Sequence, residues 1–176
     1  MVASRHFWHK PNPMPESVTD RCTKAHEYIF LLTKSARYFW EREALAEPVV
    51  VGNHHRTITD NACKEVPPGA PQHTGLRTCD VETRNARSVW TITTKPYSGA
   101  HFATFPPELP MRCIGAGSKK GDTILDPFFG AGTTGLVAMK MGRDCIGVEL
   151  NPDYAEIARK RIADACGLFG SVEVQQ

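Results

Sequence analysis

The residues of this chain best suited to chemistry lie in one block, "TILDPFFGAGTTGLVAM", Thr123 to Met139, together with Glu149 at the end of the next apolar run. Gly130, Gly132 and Gly135 satisfy G-x-G-x-x-G, and an acid about 20 residues further on completes the fingerprint of a dinucleotide-binding turn. In such a turn the glycines let the backbone approach a ligand closely. The helix that follows offers free N–H groups, and the acid accepts from ribose hydroxyls. Asp126-Pro127-Phe128-Phe129 alters that reading, because it sets a carboxylate between the strand and the first glycine. A carboxylate there repels a pyrophosphate in a half-buried site. It suits a ligand with a cationic amine, a ribose and no phosphate, and S-adenosylmethionine is such a ligand. A nicotinamide- or flavin-dependent oxidoreductase is the competing reading of the glycines alone.

The elements that position these residues follow from the pattern around them. "DTILD" reads as a strand, the next helix runs from about Thr134 to Met141, and "DCIGVEL" is a second strand ending in Glu149. The last helix spans Pro152 to about Ala165, with Asn151 as N-cap, Pro152 in the first turn and Gly167 just beyond. Tyr154, Ile157, Ala158, Ile162 and Ala165 recur at helical spacing and give it one apolar face. Upstream, "VWTI" from Val89 reads as a short strand and Glu108 to Gly115 as a helix. The order strand, helix, strand, helix predicts an α/β fold with a mostly parallel sheet and right-handed crossovers. Open sheets of this kind bind ligands at the carboxyl ends of their strands, where Asp126 and Glu149 both fall.

The remainder divides into two stretches. Residues 1–40 contain "HEYIFLLTK", His26 to Lys34, which reads as a buried strand, preceded by a proline-rich loop in "HKPNPMPESVTDR". Residues 41–88 are polar, aperiodic and broken by Pro48, Pro67, Pro68 and Pro71, so they read as an inserted recognition element or a flexible segment.

With 176 residues the chain suits one domain with a real core, and a net charge of +2 confines any nucleic-acid surface to a local patch. No apolar run is long enough to span a membrane, and the N-terminus lacks the apolar core of a signal peptide. The six cysteines form no C-x-x-C pair, which points to reduced thiols. Cys63 and Cys79 lie near His54, His55 and His73, but their spacing matches no standard zinc pattern.

Three blocks in order, "HFATFPPELPMRCI", "GDTILDPFFGAGTTGLVA" and "GRDCIGVELNPDYAEIARKRI", resemble the C-terminal half of DNA amino-methyltransferases, which methylate adenine N6 or cytosine N4. The early stretch "WHKPNPMPESVTDRCTKAHEYIFLLTKSARYFW" is similar to the same family. The resemblance implies a Rossmann-like, S-adenosylmethionine-dependent methyltransferase fold, with residues 89–176 as its cofactor-binding half. Residues 1–40 would belong to the catalytic and target side, and 41–88 to a variable target-recognition segment.

The resemblance also implies roles for single residues. Asp126, Pro127, Phe128, Gly130, Gly132, Thr133 and Thr134 would wrap the methionine and ribose parts of the cofactor. Glu149 would accept from both ribose hydroxyls, with Asn151 beside it. Phe102, Thr104 and Phe105 would close over the methionine end. The bland alternative for the phenylalanines is core filling. Lys10, Arg21 and Lys24, with Arg37 and Arg42, offer charges for a DNA phosphate groove, or else a solvated face. Double-stranded DNA is the implied substrate, and a bacterial or phage protein of the cytoplasm the implied setting. Methyl transfer to RNA or protein is less favoured by this order of blocks.

Such enzymes need a loop reading Asp/Asn/Ser-Pro-Pro-Tyr/Trp to hold the flipped base's amino group. No such tetrapeptide occurs in the sequence, and Phe105 to Glu108 lacks both the polar lead and the aromatic. The catalytic loop and its strand would precede "HKPNP", with Met1 falling just inside the strand that ends in "FWH". The expectation is a sheet lacking its central strand, and a chain that acts only when a second chain supplies the missing part. A non-catalytic subunit or a truncated relic is the matching alternative.

Overall fold

The computed structural model describes residues 2–49, 57–58, 77–78, 83–94, 104–166 and 172–174. Along the chain run β1 (Val2–His9), β2 (His26–Leu32), a 3-10 turn (Glu43–Leu45), β3 (Glu47–Pro48), β4 (Thr57–Ile58), β5 (Arg77–Thr78), β6 (Thr83–Arg84) and β7 (Val89–Thr91). The C-terminal part holds α1 (Glu108–Gly117), β8 (Thr123–Asp126), α2 (Thr133–Lys140), β9 (Asp144–Gly147) and α3 (Pro152–Cys166). Two compact units result, Met1–Leu45 with Arg87–Gln176, and Ala46–Ala86.

In the larger unit, β1 pairs antiparallel with β2 and parallel with β7, giving the order β2-β1-β7. Trp8 lies opposite Trp90 in register, and both are buried on one face. A buried indole N–H needs an acceptor. Trp8 Nε1 donates to the Ile92 carbonyl at 2.8 Å and Trp90 Nε1 to that of Arg87 at 3.0 Å. α1 reaches this part of the unit: the Arg112 guanidinium sits 5.6 Å from the Trp90 ring centre, and the Glu41 N–H donates to the Ala116 carbonyl at 2.8 Å. The strand period of two sends Tyr28, Phe30 and Leu32 to the other face, where they are exposed, and Val89 is exposed too. The strand expected to be buried at 26–34 is thus half-buried on one side and exposed on the other.

β8 and β9 form a separate two-stranded parallel sheet with Leu125 opposite Ile146. Ile114 of α1 and Val137 and Ala138 of α2 pack on Ile124, Met141 and Cys145, which makes the core on one side of this sheet. Leu125, Ile146, Val148 and Leu150 are exposed. Ala158 and Ile162 of α3 are buried, whereas Ala165, expected on the same apolar stripe, is exposed. The described strands of this unit thus form two sheets, of three and two strands, with parallel pairs β1–β7 and β8–β9 and one antiparallel pair.

The smaller unit contains two antiparallel two-residue ladders, β3–β6 and β4–β5. Arg84 donates from Nε and Nη2 to Glu47 Oε2, at 3.2 and 3.0 Å, across the first of them.

Candidate functional site

The turn from β8 to α2 takes its shape from two left-handed glycines, Gly130 at φ +50° and Gly132 at φ +73°. That region costs little only where there is no Cβ. A Cβ on Gly132 would also lie 2.8 Å from the Ala158 Cβ, so the turn rests directly on α3. Phe129 folds inward, its ring filling space left by Gly135 and Gly147; a Cβ on Gly135 would lie 2.5 Å from the Phe129 Cζ. From α3, Arg161 Nη1 donates to the Ala131 carbonyl at 2.9 Å and to Thr133 Oγ1 at 3.0 Å.

On the facing side, Glu149 Oε2 accepts from the Gly130 N–H at 2.7 Å and Oε1 from the Asn151 N–H at 3.0 Å. The carboxylate is held at the mouth of the glycine turn, over a cavity of about 310 Å³, within the size range of small-molecule sites. Of the residues expected from the sequence, Thr104, Phe105, Pro127, Phe128, Gly130, Thr133 and Glu149 line it together. Phe128 is 89% exposed, which removes core filling as its role. Asp126 and Thr134 line a neighbouring cavity of about 390 Å³, which shares Phe105 with the first. The Asp126 Oδ1 accepts from the Phe128 N–H at 3.0 Å. Burial, and next the charge of Asp126, push the Cys145 thiol up to about 11.

Two of the expected residues that are described stand apart from the cavity walls. Gly132 shapes the turn from beneath, against α3. Asn151 Oδ1 accepts from the Asp153 N–H at 2.9 Å and so caps α3. Phe102 lies outside the described residues, as do His54, His55, Cys63, His73 and Cys79. Conversely, Phe129, Val148, Leu150, Tyr154 and Ile157 line the cavity without having been singled out for it. Tyr154 and Ile157 carried a signal, the apolar stripe of the last helix, but that stripe reads as core from sequence alone.

Of the basic residues expected at DNA, Lys10, Arg21 and Lys24 each have an intrachain partner. Lys10 pairs with Glu27 and lies 4.5 Å from the Trp8 ring centre. Arg21 Nε is 3.8 Å from Glu16 Oε2, and Lys24 Nζ is 5.9 Å from the Tyr28 ring centre. Arg37 and Arg42 are exposed. No helix among the described residues is long and apolar enough to cross a membrane.

A glycine turn against an acid two residues past β9, which ends at Gly147 and not at Glu149 as expected, on a parallel β–α–β unit, defines a nucleotide-type ligand site on a Rossmann-like fold. The sequence matches the DNA methylase family over residues 1–160, and the chain belongs to that family. It is 42% identical over 156 residues to the type II methyltransferase M.SmaI of Serratia marcescens, covering 89% of this chain and 44% of that protein. To M.XycI of Xanthomonas campestris pv. cyanopsidis it is 44% identical over 155 residues, covering 88% of this chain and 42% of the relative. The chain therefore spans less than half the length of these relatives. A putative DNA modification methylase of Thermus thermophilus, solved with S-adenosyl-L-methionine, superposes with a TM-score of 0.58 at 26% identity, covering 96% of this chain and 56% of that one. The cytosine-N4-specific PvuII DNA methyltransferase shares the fold with a TM-score of 0.61 at 19% identity, covering 93% and 55%.

Proposed function

We propose that this chain binds S-adenosyl-L-methionine at the Glu149 cavity and serves methyl transfer to the exocyclic amino group of adenine (N6) or cytosine (N4) in double-stranded DNA. The carrying observation is the Glu149 carboxylate, oriented by the N–H groups of Gly130 and Asn151. Each oxygen has accepted one backbone donor and keeps capacity for another, which suits a pair of ribose hydroxyls. When bound, the cofactor supplies an electrophilic methyl group on a sulfonium. Glu149 holds the ribose, and Asp126 answers the cationic amine from the adjoining cavity. Thr104 and Phe105, with Phe102, cover the methionine end. Pro127 and Phe128 form the rim. Gly130 and Thr133 form the floor, Gly132 shapes the turn beneath it, Thr134 lies with Asp126 at the adjoining cavity, and Asn151 fixes the start of α3.

The same reading assigns residues 41–88 to target recognition and Lys10, Arg21 and Lys24 to DNA phosphates, reached by exchanging their present partners. It also assigns the amino-holding Pro-Pro loop to a segment outside this sequence, carried on the same polypeptide or on a second chain. Two observations support that assignment. The longer relatives have more than half their length unmatched, and apolar side chains lie exposed on both sheets, Phe30 at 53% and Leu125 at 65%. In the enzyme so completed, orientation of the flipped base against the methyl group supplies much of the rate.

Calorimetry with S-adenosylhomocysteine tests the cofactor part. Hydrogen bonds to a charged group contribute about 1.5–3 kcal/mol each. Glu149→Gln is therefore expected to bind at least about tenfold more weakly than wild type. Equal binding by the variant, or binding of NADH instead, would sink the reading. Methyl incorporation into duplex DNA is expected on co-expression with the unmatched half of M.SmaI and not from the chain alone.

A further inference from the structure

We propose that Arg161 is a positioning residue that directs the Thr133 hydroxyl hydrogen into the Glu149 cavity, as a donor to an acceptor oxygen of the ligand. The inference rests on the cofactor reading above and adds a residue outside the glycine motif. Arg161 Nη1 lies 2.9 Å from the Ala131 carbonyl oxygen and 3.0 Å from Thr133 Oγ1. A guanidinium only donates, so in the second contact the hydroxyl oxygen is the acceptor. The single hydroxyl hydrogen is then turned away from Arg161.

Thr133 is 5% exposed and lines the cavity. Among the described residues it makes no hydrogen bond in which its hydroxyl donates. A buried donor without a partner is costly, and the cavity is the open side. The same guanidinium occupies the Ala131 carbonyl, an acceptor that the turn would otherwise present. What remains toward the ligand is a complementary pair: a double acceptor in Glu149 and a hydroxyl donor in Thr133. Ribose hydroxyls suit the first. The acceptor oxygens of S-adenosylmethionine, in its ribose ring and its carboxylate, suit the second.

Calorimetric titration with S-adenosylhomocysteine of the full chain tests this in wild type, Thr133→Val, Thr133→Ser, Arg161→Met, Arg161→Lys and the Thr133→Val/Arg161→Met double variant. A melting curve for each reads the fold separately. Thr133→Val and Arg161→Met are each expected to weaken binding about tenfold, the size of one hydrogen bond. Thr133→Ser and Arg161→Lys should recover most of the loss. The double variant should bind about as Thr133→Val does, because without the hydroxyl there is nothing for Arg161 to orient. Additive losses, about a hundredfold in the double variant, would give Arg161 a merely structural role and overturn the proposal. Wild-type affinity in a folded Thr133→Val would overturn it too, whether or not Arg161→Met folds. A wild-type chain that binds no S-adenosylhomocysteine overturns the cofactor reading itself, an outcome separate from either.

Discussion

At the scale of single residues the site depends on what glycine permits and what buried polar groups require. Gly132 combines a left-handed backbone with contact against Ala158, so Gly132→Ala meets both strain and overpacking. Each costs on the order of 1–3 kcal/mol, and a lowered midpoint in urea is the expected result. Unchanged stability would mean that the turn relaxes away from α3. Cys145 offers an independent check on the core beside Asp126. With its thiol raised to about 11 by burial and then by the Asp126 charge, Cys145 stays protonated where an ordinary cysteine, near 9, has ionised. The folded state takes up the thiolate less readily than the unfolded one, so the contribution is neutral below about pH 9 and stability falls as pH rises from there toward 11. Peptide mapping after iodoacetamide at about pH 8.5 should find the exposed Cys22 alkylated well before Cys145. Comparable rates at the two would show that burial does not protect Cys145.

At the scale of elements, α3 does two jobs, and each has its own residues. Its N-terminal turn, fixed by Asn151, brings Tyr154 and Ile157 to the cavity, while Ala158 and Ile162 bury against the turn and α2. Asn151→Ala removes the cap and should cost about 0.5–2 kcal/mol. Ile162→Ala opens a cavity at a side chain 4% exposed and should cost about 2–5 kcal/mol. Thermal melts rank the two, and an equal or reversed order would show that α3 is anchored by its cap and not by its packing. The helix was legible in advance because cap, proline and apolar period agree. Its start at Pro152 is as read, and its end falls one residue past Ala165. The start of α2 was less legible. Helix propensity disfavours Thr133, yet the left-handed Gly132 serves as N-cap, so the helix begins one residue earlier than expected. The glycines and Glu149 could be found from spacing alone. Leu150, Val148 and Phe129 could not, because their place at the cavity depends on how β9 leaves the sheet and on the slot between Gly135 and Gly147.

At the scale of the molecule, the two sheets of the larger unit share a pattern. On each, one face carries the buried side chains, Trp8 and Trp90 on the first and Ile124 and Cys145 beneath α1 and α2 on the second, and the other presents Tyr28, Phe30 and Leu32, or Leu125, Ile146 and Val148. Apolar residues in such number are normally buried, and a contiguous exposed set marks an interaction surface. The proposal that a further segment carries the Pro-Pro loop gives those residues a use, and it predicts opposite effects in two settings. Phe30→Lys with Ile146→Lys should leave the melting temperature of the isolated chain close to wild type, since both side chains are more than half exposed. It should also lower dye binding to exposed apolar surface and reduce self-association. The same pair should abolish co-purification with the unmatched half of M.SmaI, because a charge buried without a partner costs far more than a methyl group gains. A variant that loses the fold alone would mean these residues already pack inside the chain. A variant that still captures the complementary half would mean the covering segment sits elsewhere, and the completed enzyme would need a different architecture from the one proposed.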